Sequence, residues 1–98
     1  MKKITVADII LNQLGGNKFI AMTGAKNLAG GKDYLSLQIG KNSGGIGGVK
    51  IILTANDDYT VEFYKVKNKI VSHDTVDGVY AEDLQTIFED KTGLRTRL

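Results

Sequence analysis

The 98-residue chain contains no cysteine and no proline. Without cysteine, disulfide bonds, thiolate nucleophiles and cysteine-based zinc sites are all excluded. Without proline, the turns depend on short polar residues and on glycine, of which there are 12. The chain also lacks any run near the roughly 18 to 20 apolar residues that a membrane span needs, and it shows no signal-peptide pattern. We therefore expect a cytoplasmic protein with no membrane partner.

An excess of charge of one sign is also missing, because the formal net charge is only +2. That excess is too small to indicate nucleic-acid binding by itself. The distribution is uneven, since residues 1–55 hold seven lysines against two aspartates and residues 56–98 hold six basic against nine acidic residues. This pattern is consistent with a dipolar surface and also with random scatter. The length and the hydrophobic content of 42% fit one domain spanning residues 1–98.

The N-terminal segment predicts a helix over residues 5–14. Thr5 and Asp8 are spaced as in a capping box, in which the side chain of each residue bonds the backbone of the other. Apolar residues then recur up to Leu14, and a pair of glycines ends the run. The apolar side of this helix is wide, which favours packing against a sheet, with a homodimer contact as the alternative.

Five later segments alternate side chains with the period of two that is typical of strands. These predicted strands span residues 18–23, 34–39, 49–55, 59–66 and 70–76. Between the first two strands, the segment 24–31 predicts an irregular loop because it is rich in glycine. Asp77 and Gly78 are expected to close the last strand, and apolar residues at helical spacing then predict a helix over residues 79–92.

These elements together predict the fold class. The connections between the strands are too short for crossover helices, so we expect an antiparallel sheet of four to five strands. With the N-terminal and C-terminal helices packed on that sheet, the fold is α+β in two layers.

The most unusual segment is 40–48, which holds five glycines together with Lys41 and is followed by Lys50. Glycine-rich loops can cradle phosphate because their backbone N–H groups approach an anion closely. The established patterns G-x-x-x-x-G-K-[ST] and G-x-G-x-x-G are absent, however. Since the segment joins two predicted strands, a flexible hairpin connection is the simpler interpretation.

The sequence indicates no catalytic, metal or cofactor site. His73 is the only histidine, and its neighbours Ser72 and Asp74 point to the opposite face of a strand, so the three do not form a triad. The paired carboxylates of the chain lack the spacing of a calcium-binding loop. We therefore interpret His73 as a surface residue and predict that the protein is not an enzyme and needs no cofactor.

A basic segment surrounds Tyr64 and continues at the C-terminus. Three of its lysines are spaced by two, so they share one face of an extended strand, and an aromatic residue among basic ones is typical of grooves for single-stranded nucleic acid. The basic residues concerned are Lys65, Lys67, Lys69, Arg95 and Arg97. The alternative is that lysines on an edge strand prevent aggregation.

Two segments carry a resemblance to a known family. They are LNQLGGNKFIAMTGAKNL, residues 11–28, and VYAEDLQTIFEDKTGLRTRL, residues 79–98. Both resemble a family of roughly hundred-residue uncharacterised proteins encoded by bacteriophages, prophages and mobile elements. The resemblance spans most of the chain and implies an accessory protein in the cytoplasm of a bacterial host cell. It implies no activity and no functional residues.

From these observations we predict a non-catalytic phage or mobile-element accessory protein that binds a macromolecule, most readily nucleic acid. The residues predicted to contact phosphate or to stack on bases are Lys41, Lys50, Tyr64, Lys65, Lys67 and Lys69. The alternative is a protein–protein inhibitor of a host defence system, as in anti-CRISPR proteins, in which acidic residues occupy a nucleic-acid-binding groove. The residues predicted for that contact are Asp57, Asp58, Glu82, Asp83, Glu89 and Asp90.

Overall fold

The computed structural model describes residues 5–67 and 70–96, and for residues 66, 67 and 70–72 it describes the backbone alone. In chain order the elements are α1 (Val6–Leu14), α2 (Asn17–Thr23), β1 (Lys26–Gly30), β2 (Tyr34–Gln38), β3 (Gly48–Leu53), β4 (Tyr59–Lys67), β5 (Ile70–Val79), a 3-10 turn (Ala81–Asp83) and α3 (Leu84–Thr92). The strands form one antiparallel sheet in the order β1-β2-β3-β4-β5. The predicted α+β fold with N-terminal and C-terminal helices is confirmed.

The core lies between the helices and one face of the sheet. Alternate residues of the central strands are buried there, and apolar residues from all three helices cover them. The strand contribution is Leu35, Leu37, Val49, Ile51, Val61 and Phe63, and the helix contribution is Ile10, Leu14, Phe19, Leu84 and Phe88. Phe19 and Phe88 meet edge to face with their ring centroids 5.1 Å apart, which is a favoured aromatic geometry.

The buried polar side chains are hydrogen-bonded within this core. The hydroxyl groups of Thr23 and Thr92 donate to the carbonyl oxygens four residues earlier, of Phe19 and Phe88. Among the described residues, no buried side-chain nitrogen or oxygen lacks a partner. An unpaired buried polar group costs about 1–3 kcal/mol of stability. These hydrogen bonds therefore allow the threonine hydroxyl groups to be buried without that cost.

The expected capping box at the start of α1 is confirmed. The backbone N–H of Asp8 donates to the Thr5 hydroxyl over 3.2 Å, and the backbone N–H of Thr5 donates to the Asp8 carboxylate over 3.1 Å. Gly15, at φ 128°, ends the helix. Within the described residues, no helix is long and apolar enough to cross a membrane.

The predicted strand over residues 18–23 is wrong, because this segment forms α2. The apolar residues fit both a strand and a helix, and the helical solution buries Phe19 and Thr23 on one side, four residues apart. Glycines bound the helix at both ends, and Gly24 takes the left-handed conformation at φ 68° that favours glycine. The segment predicted as an irregular loop then contains β1, whose five residues are all exposed.

The predicted end of the last strand is also wrong, because Asp77 and Gly78 form a β-bulge rather than a stop. Tyr59 pairs with Val79 and Val61 pairs with Val76, so β5 carries one extra residue between these pairs. Gly78 has φ 68°, which fits a bulge. The strand therefore reaches the buried Val79, and the helix predicted from residue 79 begins at Leu84 after the 3-10 turn.

We predict that Phe88→Ala lowers the free energy of unfolding by about 3–5 kcal/mol, the usual cost of deleting a buried aromatic ring. The cause is the loss of the ring that contacts Phe19 in the core. Urea unfolding followed by circular dichroism measures the change. The matched control is Tyr80→Ala, since that ring is 58% exposed and should change stability by no more than about 0.5 kcal/mol. Equal losses for both variants would contradict this description of the core.

Candidate functional site

The face of the sheet opposite the helices carries a group of aromatic and polar side chains. We call it the open face, because its residues alternate with the buried ones and all retain partial or full exposure. Its members on the four strands β2 to β5 are Tyr34, Ser36, Gln38, Gly48, Lys50, Ile52, Thr60, Glu62, Tyr64, His73 and Thr75. Lys26 of β1 lies opposite Gln38 and extends the face.

The register aligns these residues in rows across the sheet. One row runs through Lys26, Gln38, Gly48, Tyr64 and His73. The next row runs through Ser36, Lys50, Glu62 and Thr75. Residues that are distant in the chain therefore become neighbours on a surface about four strand spacings wide, or roughly 19 Å.

The aromatic rings of the open face are held in place by contacts with neighbouring side chains. The rings of Tyr64 and His73 lie side by side with centroids 5.6 Å apart and an angle of 38° between their planes. On the adjacent strands, the Lys50 Nζ atom lies 4.5 Å from the centre of the Tyr34 ring, which is within the range of a cation–π contact. The face therefore presents two tyrosines, a histidine and a lysine as an organised set.

Glu62 fixes the position of the Tyr64 hydroxyl. This hydroxyl donates to the Glu62 carboxylate over 2.6 Å. The hydrogen bond is the main reason that the pKa of Tyr64 is raised to about 12, and burial and the negative charge of Glu62 add to the rise. Tyr64 is consequently neutral at physiological pH. In this form its hydroxyl can donate a hydrogen bond and its ring carries no charge.

The structure brings two of the predicted nucleic-acid residues together and separates others. Lys50 and Tyr64 share the open face, whereas Lys65 follows Tyr64 in β4 and lies on the other face, where it is exposed. Lys41 is exposed in the β2–β3 loop. Lys69 and the side chain of Lys67 lie outside the described residues. Arg95 is exposed, and Arg97 also falls outside the described part of the chain.

The glycine-rich loop is packed against α3. Ile46 is buried, and the Asn42 amide donates to the carbonyl oxygens of Gly40 and Ile46 while accepting from the Ile46 N–H. The N–H groups of Gly44 and Gly47 donate to the carbonyl oxygens of Thr92 and Tyr64. These N–H groups are therefore engaged within the protein and are not available to cradle a phosphate. The loop borders a shallow cavity of about 360 Å³ that includes Lys41.

The predicted acidic residues fall into two groups. Asp57 and Asp58 lie in the β3–β4 turn, and Glu82 and Asp83 lie in the 3-10 turn. The pairing of Tyr59 with Val79 brings these two turns to the same end of the sheet.

The other two acidic residues are on α3. Glu89 accepts hydrogen bonds from the backbone N–H and the hydroxyl of Thr96 over 2.9 and 3.2 Å, so it holds the C-terminal segment in place. Asp90 is exposed.

The sequence pattern does not single out Lys26 or Tyr34 as site residues, and it indicates His73 only as an isolated surface residue. The period of two already places Tyr34 on the outward side of β2, so this pattern was sufficient to identify Tyr34 as a surface aromatic residue. The proximity of His73 to Tyr64 depends on the pairing of β4 with β5. Among the described residues, no group of three or more histidine, aspartate or glutamate side chains is arranged to hold a metal ion.

Comparisons of the chain with protein-family models, with curated proteins and with solved structures find no match. Function is therefore inferred below from the surface chemistry of the described residues, and a phage or mobile-element origin from the resemblance of residues 11–28 and 79–98.

We predict that Glu62→Gln lowers the pKa of Tyr64 from about 12 toward its ordinary value of 10, because the charge and the strongest acceptor are removed. In the folded wild type the pKa of Tyr64 is higher than its ordinary value of 10. The hydrogen bond from Tyr64 to Glu62 therefore stabilises the fold fully below pH 10, and this contribution is lost as the pH rises toward 12. Titration of tyrosinate absorbance in wild type, Glu62→Gln and Tyr64→Phe identifies the transition. The exposed Tyr80→Phe is the control, and an unchanged transition in Glu62→Gln would contradict the assignment.

We also predict that Gly44→Ala destabilises the protein by about 1–3 kcal/mol, the usual cost of overpacking. A Cβ atom at Gly44 would overlap the carbonyl oxygen of Lys91 in α3. Gly47→Ala is the matched control from the same loop, since its Cβ would meet nothing nearer than the Tyr64 carbonyl oxygen at 3.9 Å. Thermal unfolding measures both variants. Similar melting temperatures for the two would show that the loop does not depend on its contact with α3.

Proposed function

We propose that this protein is a non-catalytic accessory protein of a phage or mobile element and that it binds single-stranded nucleic acid through the open face. The observation that supports nucleic-acid binding is the presence of two tyrosines, a histidine and lysines on one sheet surface that no described helix covers. Single-strand binding proteins combine the same two features, aromatic rings on which bases stack and basic groups that follow the backbone.

The aromatic part of the surface favours unpaired bases. In a duplex the faces of the bases are covered by their neighbours, whereas a single strand can lay its bases on a protein ring. Tyr34 and Tyr64 are each partly exposed and lie on strands separated by β3. Lys50 lies over the Tyr34 ring and Gly31 lies against it. Tyr64 is therefore the ring left for a base, and one stacked base contributes about 1–3 kcal/mol.

The positive charge is concentrated at one end of the open face, although the net charge of the chain is only +2. Lys26 and Lys50 belong to the open face, and Lys41 lies in the adjacent loop at the end of β2 where Lys26 is paired. At the other end of the strands the exposed Asp57, Glu82 and Asp83 repel phosphate. A nucleic-acid backbone is therefore expected to lie toward the lysine end of the open face.

A second candidate is the inhibitor of a host defence system. It is favoured by one observation, which is that the β3–β4 turn and the 3-10 turn place Asp57, Asp58, Glu82 and Asp83 at the same end of the sheet. Such a group resembles the charge of a nucleic-acid backbone and fits a basic groove on another protein.

We predict that the purified protein binds a fluorescent single-stranded oligonucleotide of about twelve nucleotides and that the affinity falls steeply with salt. Lys50→Gln should weaken binding and reduce the slope of log affinity against log salt by about 0.7, the value for one phosphate contact on a single strand. Lys65→Gln is the matched control, because it removes the same charge from the opposite face.

Two outcomes of this titration would count against the proposal. Equal effects of Lys50→Gln and Lys65→Gln would show that the open face is not the binding surface. The absence of binding by the wild type at low salt would rule out the proposed function and leave the inhibitor as the stronger candidate.

A further inference from the structure

The open face has a gap beside the Tyr64 ring. Gly48 lies between Gln38 and Tyr64 in the same row, and glycine has no side chain to fill that position. Within the described residues, a Cβ atom at Gly48 would meet nothing nearer than the carbonyl oxygen of Leu37 at 3.5 Å, apart from its own chain neighbours. No atom of the Tyr64 ring approaches that position within 4 Å. Neither flanking side chain therefore reaches the position that a side chain at Gly48 would begin to fill.

The Tyr64 ring has different surroundings on its two sides. His73 of β5 lies on one side, with the ring centroids 5.6 Å apart. On the other side the neighbouring strand contributes Gly48. The hydrogen bond to Glu62 keeps the ring from turning freely into the gap. Adjacent strands lie about 4.8 Å apart, so the backbones that carry Gln38 and Tyr64 are roughly 10 Å apart with Gly48 between them. We call the space above Gly48, between these two side chains, the slot.

The charges around the slot indicate which part of a nucleic acid it can accept. Glu62 lies beside Tyr64 on the open face, and its carboxylate repels a phosphate at this point. Lys26 lies beyond Gln38 in the same row, and Lys50 follows Gly48 by two residues on the same face. Lys50 is paired with Glu62 across β3 and β4, but its Nζ atom lies over the Tyr34 ring of β2. Phosphates are thus favoured on the β2 side of the open face, at Lys26 and Lys50, and disfavoured over Glu62, where an uncharged ring is acceptable.

We propose that the slot above Gly48, between Tyr64 and Gln38, holds one unpaired nucleobase stacked on Tyr64, with the flanking phosphates at Lys26 and Lys50. This inference rests on the proposed function and adds to it the position of a base. It also gives Gly48 a role, since any larger side chain occupies the place of the base.

The test compares a short oligothymidylate with an abasic oligomer of the same length, which keeps the phosphates and lacks the bases. The wild type should bind the abasic oligomer at least about fivefold more weakly, as expected for the loss of one stacked base. Gly48→Val should weaken binding of the oligothymidylate to a similar extent and should no longer distinguish the two oligomers. Tyr64→Ala should show the same loss of discrimination.

The fold of the Gly48→Val variant is expected to persist, because the Cβ position has room and valine suits a strand. Thermal unfolding checks this point. Thr75→Val is the matched control, since it places valine on the same face of β5, away from the slot. It should bind both oligomers as the wild type does.

The outcomes separate the two proposals. Equal affinity of the wild type for both oligomers would overturn the base slot while leaving phosphate-mediated binding intact. A Gly48→Val variant that is folded and retains the wild-type preference for the oligothymidylate would also overturn the slot. Absence of binding to either oligomer at low salt would overturn the proposed function itself and the slot with it.

Discussion

The packing of all three helices on one face of the sheet is the constraint on which the rest of the structure depends. A five-stranded sheet has two faces, and the apolar residues of this chain are sufficient to cover one of them. Phe19 and Phe88 meet edge to face on the covered side and link α2 to α3. The alternate residues of each strand are then directed away from the helices, and their chemistry is available for contacts with other molecules.

On the uncovered side, the side chains restrain one another instead of being restrained by a core. Lys50 lies over the Tyr34 ring, and Tyr64 is held between His73 and the Glu62 carboxylate. A ring that is already held in position loses little conformational freedom when a ligand stacks on it, and this lowers the entropic cost of binding. The small net charge of the chain is compatible with this arrangement, because the lysines act locally while carboxylates occupy the other end of the strands.

The sequence predicted the fold class, the capped first helix and the strands over residues 49–55 and 59–66 because each has a strong local signal. It failed where the signal was ambiguous or absent. The apolar residues of α2 fit two periods, and β1 buries none of its residues, so no alternation marks it. The bulge at Gly78 was mistaken for a stop, since an Asp-Gly pair is typical of turns.

The candidate site was harder to predict than the fold because it depends on the register between strands. Lys50 and Tyr64 were identified individually, but their position on one face with Lys26 and His73 requires the pairing of five strands. The role proposed for Gly48 rests on the absence of a side chain between those of Gln38 and Tyr64. Lys65 was grouped with Tyr64 because they are adjacent in the chain, although adjacent strand residues lie on opposite faces.

The irregular edges of the sheet have a consequence for self-association. A long, regular edge strand exposes a row of backbone hydrogen-bonding groups to which another copy can add, and this is a route to aggregation. In this protein the pairing of β1 shifts register between Lys26 and Ala29, and β5 is interrupted by the bulge at Asp77 and Gly78. These irregularities limit the length of regular strand at each edge, and so limit the length over which another copy can add to the sheet.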